Sequence, residues 1–523
     1  MRMNMSIFKV KVQVYAILML AIVSACDYSN RTFLTEAALI PVPVSVSSSK
    51  GFFEFSEKTN IYLVNADLEL HRVAEFLNDY ISPSTGFLLS VKEVESAEDV
   101  FGVIFVLSDD SDFRNEEYEL RIMPNKVVLT SATHEGIFRG IQTIRQLLPA
   151  SIEKQTVQND KWVIPAGVIR DYPRFQYRGA MLDVSRHFFG VEDVKRYIDY
   201  LASIKMNRFH MHLTDDQGWR IEIKSWPKLT EIGGQTQVGG GRGGFYTQDE
   251  FSEIVRYADD RFIVVVPEID MPGHTNAALA SYPELNPDGI APELYTGIDV
   301  GFSTLDTRNE LTYTFVEDVI REIAQLTTGD YLHIGGDESW VTAKEDYIYF
   351  INRVQDIVLK YNKRIVGWDE IATAELRPGA ISQFWKHEEN ALKAAQQGGS
   401  IIVSPADRAY LDMKYDSTTV IGLSWSGFIE VDRAYEWEPT ALVEGFPEAL
   451  VYGVEAPLWT ETIETMKDIE YMIFPRILGI AEIAWSSADN RSWDEYKFRL
   501  AAFEKRLSAK DVNFYKSPLV PRK

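Results

Sequence analysis

Eight short apolar segments between residues 179 and 459 constrain the fold of this chain more than any other feature of its sequence. Most are separated by a stretch with helical periodicity, such as 191–206 or 248–260, or by a long loop. Continuous apolar strands that alternate with helices indicate a parallel sheet. Eight of them predict an α/β fold of the (β/α)8 TIM barrel type, with its functional site at the C-terminal ends of the strands. The predicted strands are 179–184, 208–213, 262–269, 331–335, 364–368, 380–385, 401–403 and 451–459.

A separate region, residues 37–172, precedes the predicted barrel domain at 173–523. Segment 38–45 is apolar and interrupted by prolines, which predicts an edge strand. Segment 117–130 predicts two strands around a turn at Pro124-Asn125-Lys126. Segment 133–148 has apolar residues at helical spacing and is ended by Pro149. These segments predict a small α+β domain. We expect it to be an accessory domain, because no constellation of catalytic residues occurs in it.

The N-terminus carries targeting information. Lys9 and Lys11 precede an apolar run at 12–23, too short for a comfortable membrane span, which ends in Val-Ser-Ala-Cys at 23–26. This resembles a bacterial lipobox, and Cys26 is the chain's single cysteine. Residues 1–26 are thus predicted to be a lipoprotein signal peptide, Cys26 the lipidation site, and 27–36 a polar tether. The alternative is an ordinary signal peptide with an incidental cysteine. We expect an exported bacterial lipoprotein, anchored to a membrane in the periplasm or at the cell surface.

Composition excludes one class of partner. The formal net charge is −24 and the pI is near 4.9. Nucleic acid binding needs Lys and Arg to displace the counterions of the phosphates, so we expect no nucleic acid partner. We also expect no cofactor and no bound metal.

The strongest chemical signal is His-Ile-Gly-Gly-Asp-Glu at 333–338, at a predicted strand end. The two glycines permit a sharp turn before two adjacent carboxylates, Asp337 and Glu338. Adjacent acids are poorly placed to flank a sugar from both sides, as most glycosidases require. They suit a mechanism in which one acid protonates the leaving oxygen and the other holds a substrate group that is itself the nucleophile. The alternative is a helix N-terminus with Asp337 as its cap and Glu338 in its first turn.

Two further motifs follow other predicted strands: His-Met-His-Leu-Thr-Asp-Asp-Gln at 210–217 and Glu-Ile-Asp-Met-Pro-Gly-His at 268–274. His210 and His212 lie on the same face of a strand. Such a pair can bind zinc, which leaves a metal-dependent hydrolase open at this point. Each histidine could equally be a hydrogen-bonded core residue.

Together, six segments resemble the family-20 glycoside hydrolases, the β-N-acetylhexosaminidases. They are 178–186, 210–220, 268–274, 333–338, 367–370 and 458–461, in the family's order, and the region before them is similar to the family's accessory domain. The resemblance implies an exo-acting retaining glycosidase that releases terminal β-linked N-acetylglucosamine or N-acetylgalactosamine from glycans. It also implies substrate-assisted catalysis through an oxazolinium ion.

By this resemblance Glu338 is the general acid and then the base that activates water. Asp337 orients the acetamido N–H and stabilises the positive charge that develops. The residues that resemble the relay behind Glu338 are His274, Asp216 or Asp215, and Asp270 in support.

Substrate-binding roles follow from the same resemblance. Arg186, helped by Glu461, is expected to grip the hydroxyls at C3 and C4, since its fork of donors suits vicinal hydroxyls. Tyr410 is expected to donate to the acetamide oxygen, and Asp412 to bind a remote hydroxyl. The expected acetamide box is Trp368, Trp385 and Trp459, and Trp437 is expected to stack on the leaving sugar.

Two alternatives remain beside this hypothesis: a family member that releases a disaccharide, and a non-catalytic surface glycan-binding lipoprotein. Intact Asp337, Glu338 and Tyr410 argue against the second. For Trp226, Trp340 and Trp485 we expect simple core packing, because they lie away from the family motifs or inside a predicted helix.

Overall fold

The computed structural model describes residues 33–522. The predicted signal peptide, Cys26 and the larger part of the predicted tether at 27–36 lie outside the described residues. Within 33–522, no helix combines the length and the apolar character needed to cross a membrane.

The N-terminal domain is a seven-stranded mixed sheet with two long helices. Its strands, in spatial order, are β1-β7-β5-β6-β4-β2-β3. The helices pack together through Phe76 and Phe138, whose rings meet edge to face at 5.1 Å. The elements are β1 (Ser45–Glu54), β2 (Ile61–Val64), α1 (Leu68–Thr85), β3 (Val91–Glu93), β4 (Gly102–Leu107), β5 (Tyr118–Met123), β6 (Lys126–Ser131), α2 (His134–Leu147) and β7 (Val163–Asp171).

Strands β5 and β6 form the antiparallel hairpin predicted around Pro124, with Met123 opposite Lys126. The predicted edge strand at 38–45 is wrong, because β1 begins at Ser45. Prolines in that segment have no N–H to give to a sheet. Its free backbone groups instead bind the barrel domain: Val42 N–H donates to Glu482 at 2.9 Å, and Val42 C=O accepts from Ser486 Oγ at 2.6 Å.

The second domain is a closed parallel barrel of eight strands with helices outside, which confirms the predicted fold class. The barrel strands are β8 (Tyr177–Asp183), β9 (Arg208–His212), β12 (Val264–Glu268), β13 (Tyr331–His333), β14 (Arg364–Trp368), β15 (Ile381–Phe384), β16 (Ser400–Val403) and β17 (Val451–Ala456). A small hairpin, β10 (Thr214–Asp215) and β11 (Gly218–Trp219), follows β9. The helices are α3 (Val191–Ser203), α4 (Lys228–Glu231), α5 (Gln248–Asp259), α6 (Asn276–Ser281), α7 (Glu310–Leu326), α8 (Lys344–Lys360), α9 (Glu388–Gln396), α10 (Met466–Ile473), α11 (Arg476–Trp485) and α12 (Trp493–Ala509).

The interior of the barrel is filled in layers, as expected for a packed core rather than a pore. One buried layer is apolar and consists of Tyr177, Val266, Tyr331, Val366, Ile381 and Ile402. A fully buried polar layer is built around Glu268 and Glu455. His210 Nδ1 lies 2.8 Å from Glu455, and His333 Nδ1 lies 2.9 Å from Glu268. This hydrogen-bonded layer supports the residues that follow the strands.

Candidate active site

A cavity of about 200 Å³ opens among the segments that follow the barrel strands. Carboxylates, one arginine and large aromatic rings line it, at the C-terminal ends of the strands where the functional site is predicted. Its lining residues are Arg186, Ile298, Val300, Asp337, Glu338, Trp385, Lys386, Tyr410, Asp412, Leu423, Trp425, Trp459 and Glu461.

Asp337 and Glu338 both line this cavity because the backbone turns sharply after β13. Gly335 and Gly336 have φ of +64° and +103°, in the region that favours glycine. A Cβ on Gly335 would lie 1.7 Å from Asp270 Oδ1. Glu338 itself has φ of +46°, a strained value of the kind found at functional sites. The helix-cap alternative is wrong, because α8 begins only at Lys344.

The two adjacent carboxyls differ from ordinary surface acids. Burial, and after it the charge of Asp337, raises the pKa of Glu338 to about 6. Burial also raises the pKa of Asp337, and the nearby His274 opposes that shift. Glu338 can therefore hold a proton in mildly acidic solution, which a general acid must do. Asp337 Oδ1 is buried with no hydrogen-bond partner among the described residues, so it is free to accept from a ligand.

His274 connects these acids to Asp215. Its Nε2 lies 3.8 Å from a carboxylate oxygen of Asp337 and 3.8 Å from one of Glu338. Its Nδ1 lies 3.1 Å from Asp215 and 3.9 Å from Asp216. Of the two candidates that the sequence left open, the geometry favours Asp215. Asp216 has a supporting position, where it accepts hydrogen bonds from Ser303 Oγ and the Asn276 N–H.

The charges of Asp215 and His274 stabilise each other. Burial alone would lower the pKa of His274, but Asp215, Asp270 and Asp337 raise it well above its ordinary value. Burial would raise the pKa of Asp215, but Arg186 and His274 hold it below its ordinary range. A protonated His274 between an ionised Asp215 and the two cavity acids is the state that these shifts favour.

Asp270, expected to support the relay behind Glu338, lies against the turn after β13. It does not line the cavity; its Oδ1 accepts the Gly336 N–H at 3.0 Å and fills the space that the missing Cβ of Gly335 leaves. Burial, and next the charge of Asp337, raises its pKa well above the ordinary value. Asp270 thus holds the turn that presents the two acids.

Arg186 lies on one wall of the cavity. Its guanidinium is 2.8 Å from Asp215 and stands over the Trp459 ring, 4.8 Å from the ring centroid. Its Nε, Asp412 Oδ2 and Glu461 Oε2 are buried atoms without partners among the described residues. Buried polar atoms normally find partners, so these three are suited to the hydroxyls of a bound sugar.

Aromatic rings form another wall of the cavity. Trp385 and Tyr410 are nearly parallel, with an interplanar angle of 17° and centroids 6.3 Å apart. Trp459 lies 6.4 Å from Tyr410 and 5.6 Å from Trp368. Trp368 is buried behind Trp459, where its indole N–H donates to Glu268 at 2.8 Å, so it supports the wall rather than lining it.

The expectation for Trp437 needs correction. Its indole is buried in the main core and donates to the Ala434 carbonyl at 2.9 Å, and it does not line the cavity. Trp425, which the sequence analysis missed, is at the cavity edge instead. It is 51% exposed and meets Trp385 and Tyr410 edge to face at 6.0 and 5.9 Å.

The His210–His212 pair is engaged by carboxylates on both ring nitrogens. His212 lies between Glu268 at 2.5 Å and Asp215 at 2.8 Å. His210 lies between Glu455 at 2.8 Å and Glu268 at 3.0 Å. This arrangement places the motif in a buried network of histidines and carboxylates under the cavity, in which His210 Nε2 lies close to Glu268 but makes no hydrogen bond within the described residues.

Comparisons with known proteins show the family of the chain. The sequence matches glycosyl hydrolase family 20, catalytic domain, over residues 175–488 and domain 2 of the same family over 36–172. It is 39% identical to a beta-N-acetylhexosaminidase of Cellulomonas fimi, over 90% of this chain and 94% of that protein. The structure is similar to a family-20 beta-N-acetylhexosaminidase from Streptomyces coelicolor A3(2), with a TM-score of 0.90, 47% identity, and coverage of 93% of this chain and 99% of that one. A mutant Streptomyces plicatus beta-hexosaminidase in complex with product GlcNAc is also similar, with a TM-score of 0.90, 49% identity, and coverage of 93% and 98%.

Proposed function

This chain belongs to glycosyl hydrolase family 20 and is a glycoside hydrolase, and from that premise we propose that it releases single terminal β-linked N-acetylhexosamine residues from glycans with retention of configuration. The observation that carries the proposal is the position of Asp337 and Glu338. They are adjacent in sequence and face the same cavity, beside an aromatic wall that can enclose an acetamide group.

Release of one sugar at a time is supported by the cavity itself. Arg186 and Glu461 are on the side where the hydroxyls of a terminal sugar would bind, and a further sugar there would have to displace them. Release of a disaccharide is the competing outcome.

The chemistry begins with the substrate's own acetamide. Its carbonyl oxygen attacks the anomeric carbon, the glycosidic C–O bond breaks, and Glu338 gives its proton to the departing oxygen. The product of this step is an oxazolinium ion and a free alcohol. Glu338, now ionised, takes a proton from water as the water oxygen attacks the anomeric carbon, which restores the acetamide and the acid. Two displacements at one carbon retain its configuration.

Asp337 supports the nucleophile. Its Oδ1, which has no partner among the described residues, is available to accept the acetamido N–H, and its negative charge stabilises the positive charge that develops on the oxazolinium ring. A single electrostatic contact of this kind contributes about 3 kcal/mol to the transition state in comparable enzymes. Tyr410 would hold the carbonyl oxygen near the anomeric carbon, with Trp385 and Trp459 excluding water.

The leaving part of the glycan is proposed to contact Trp425. This ring is at the cavity edge, is half exposed, and is fixed by its edge-to-face contacts with Trp385 and Tyr410. An aromatic face can stack on the apolar face of a pyranose, the role that Trp437 was expected to play.

A direct test is product analysis with a β-linked N-acetylglucosamine tetramer. We expect the monosaccharide and the trimer as first products, with the β-anomer formed first by NMR. Disaccharide as the first product, or the α-anomer, would contradict the proposal. Activity is expected to survive excess EDTA, and loss that zinc restores would instead favour the metal alternative.

We further propose that Cys26 is lipidated and anchors the protein to a membrane. The support is the Val-Ser-Ala-Cys sequence after a short apolar run. Mass spectrometry of the mature N-terminus is expected to find an acylated cysteine at position 26, and Cys26→Ala is expected to release the protein from membranes. An unmodified mature N-terminus at another residue would contradict this.

A further inference from the structure

Trp340 is exposed beside the loop that supplies Ile298 and Val300 to the cavity wall, contrary to the core position expected from the sequence. It is 69% exposed, although it follows the general acid by only two residues. Val341 is next to Trp340 in sequence, and Ile298 and Phe302 lie on the loop whose Gly301 contacts it; they are 55%, 48% and 40% exposed, so this part of the surface is apolar. Contiguous exposed apolar surface in a soluble domain indicates a binding site more often than an isolated exposed side chain does.

The indole of Trp340 is held in place by Gly301. A Cβ at that position would lie 2.3 Å from Trp340 Cε3, and Gly301 has φ of +75°. Only glycine therefore allows this close contact of ring and backbone. One part of the indole is therefore packed against the loop, and the rest of the ring is a platform open to solvent.

Hydrogen bonds stiffen the segment that carries this platform. The Trp340 N–H donates to the Glu338 carbonyl at 2.7 Å. The Thr342 hydroxyl lies 2.6 Å from Ser339 Oγ and 2.7 Å from Thr304 Oγ1, which joins the segment to the loop containing Gly301. A rigid ring loses little conformational entropy when a ligand binds.

The position of Glu338 indicates which part of a bound glycan would lie over this platform. A general acid must reach the leaving oxygen, so the sugars attached through that oxygen depart on the side of Glu338. Ile298 and Val300 line the cavity wall. Gly301, which follows Val300 directly, contacts the ring of Trp340. The apolar rim is thus continuous with the catalytic cavity on its leaving-group side.

We propose that Trp340 stacks on a sugar of the leaving chain beyond the one at Trp425, so that the enzyme favours extended neutral β-linked oligosaccharides of the N-acetylglucosamine type. The inference rests on the proposed function. A pyranose with equatorial substituents presents a flat face of C–H bonds, which fits an open indole. The net charge of −24 opposes approach of polyanionic glycans, which favours a neutral chain.

The test compares chain lengths. For the wild-type enzyme, kcat/KM is measured on an aryl N-acetylglucosaminide and on β-linked N-acetylglucosamine dimers to pentamers. We expect kcat/KM to rise beyond the dimer. In Trp340→Ala, the ratio of kcat/KM on the tetramer to that on the aryl glycoside is expected to fall roughly fivefold to tenfold, the size of a lost aromatic stacking contact. Trp340→Phe, which keeps an aromatic face, is the matched control and should retain most of the ratio.

The outcomes separate this inference from the function on which it rests. If wild-type enzyme does not cleave the aryl N-acetylglucosaminide, the proposed function fails. If it does, and Trp340→Ala keeps the wild-type dependence on chain length, the inference is overturned. A dimer in sedimentation velocity that Trp340→Ala dissociates, with chain-length dependence unchanged, would likewise overturn it, since the rim would then bind a second copy of the chain.

Discussion

Glu338 has a carboxylate oxygen 3.8 Å from Nε2 of His274, and both residues have positive φ, +46° and +54°. Neither is glycine, so two strained backbone positions lie next to each other at the catalytic acid. The surrounding structure must stabilise both. The turn held by Asp270 on one side and the hydrogen bond from His274 to Asp215 on the other provide that support.

Glu338→Gln tests the proton donor. The amide cannot protonate a leaving oxygen, so hydrolysis of natural glycans is expected to fall roughly 10²–10⁴-fold. An aryl glycoside with an acidic phenol needs little protonation and should lose less in its bond-breaking step. The measurement is kcat/KM on both substrates, and equal losses on the two would contradict the acid role.

The pH profile follows from the raised pKa of Glu338. Its acid form is present below a pKa of about 6 and is lost above it, so kcat/KM on an oligosaccharide should decline on an alkaline limb near pH 6. His274 lowers the pKa of Glu338 by its positive charge. In His274→Gln the limb should therefore move to higher pH, beside any loss of rate. A limb that stays in place would mean that the charge of His274 does not act on Glu338.

Asp337→Asn separates the support of the nucleophile from proton donation. Loss of this carboxylate is expected to lower kcat roughly 10²–10³-fold, as for other removed electrostatic contacts. Unlike Glu338→Gln, the loss should be similar for aryl and sugar leaving groups. A thiazoline mimic of the oxazoline should inhibit the wild type and bind more weakly to this variant. Unchanged binding of the mimic would argue against contact between Asp337 and the acetamido nitrogen.

Gly335→Ala tests the turn before the two acids. The new Cβ would be 1.7 Å from Asp270 Oδ1 at φ of +64°, so the turn must move. We expect destabilisation of at least about 1–3 kcal/mol together with loss of activity. Gly379→Ala is a matched control, with φ of +82° but nothing within 4 Å of the added Cβ. Denaturant unfolding should show a larger loss for Gly335→Ala, and equal losses would show that the contact with Asp270 has no effect.

The barrel and the acid pair were predictable because both depend on local pattern. Apolar strands alternating with helices specify a parallel barrel, and the glycines at 335 and 336 mark the end of β13. Since a barrel brings all strand ends to one rim, residues as distant in sequence as Arg186 and Glu461 could be expected at one site.

The roles of individual tryptophans were not predictable in the same way. Trp425 and Trp437 lie in one long irregular segment without periodicity. Only the tertiary structure shows that the Ala434 carbonyl accepts from Trp437 in the core while Trp425 remains at the rim. The position of Trp340 depends on the loop carrying Gly301, nearly 40 residues earlier, which packs against one part of its ring.

The histidine pair shows a second limit of local pattern. Alternation on β9 correctly put His210 and His212 on one face. Whether they bind a metal or a carboxylate depends on their partners, and the partners Glu268 and Glu455 come from other strands. No local motif records that pairing.

The central claim, that the substrate's acetamide is the nucleophile supported by Asp337, is tested most directly by one comparison of rates. It uses aryl β-glycosides of N-acetylglucosamine and of plain glucose with the same leaving group. We predict rapid hydrolysis of the first and a rate for the second lower by several orders of magnitude, since glucose has no acetamide to attack the anomeric carbon. Comparable turnover of the two glycosides would contradict the account.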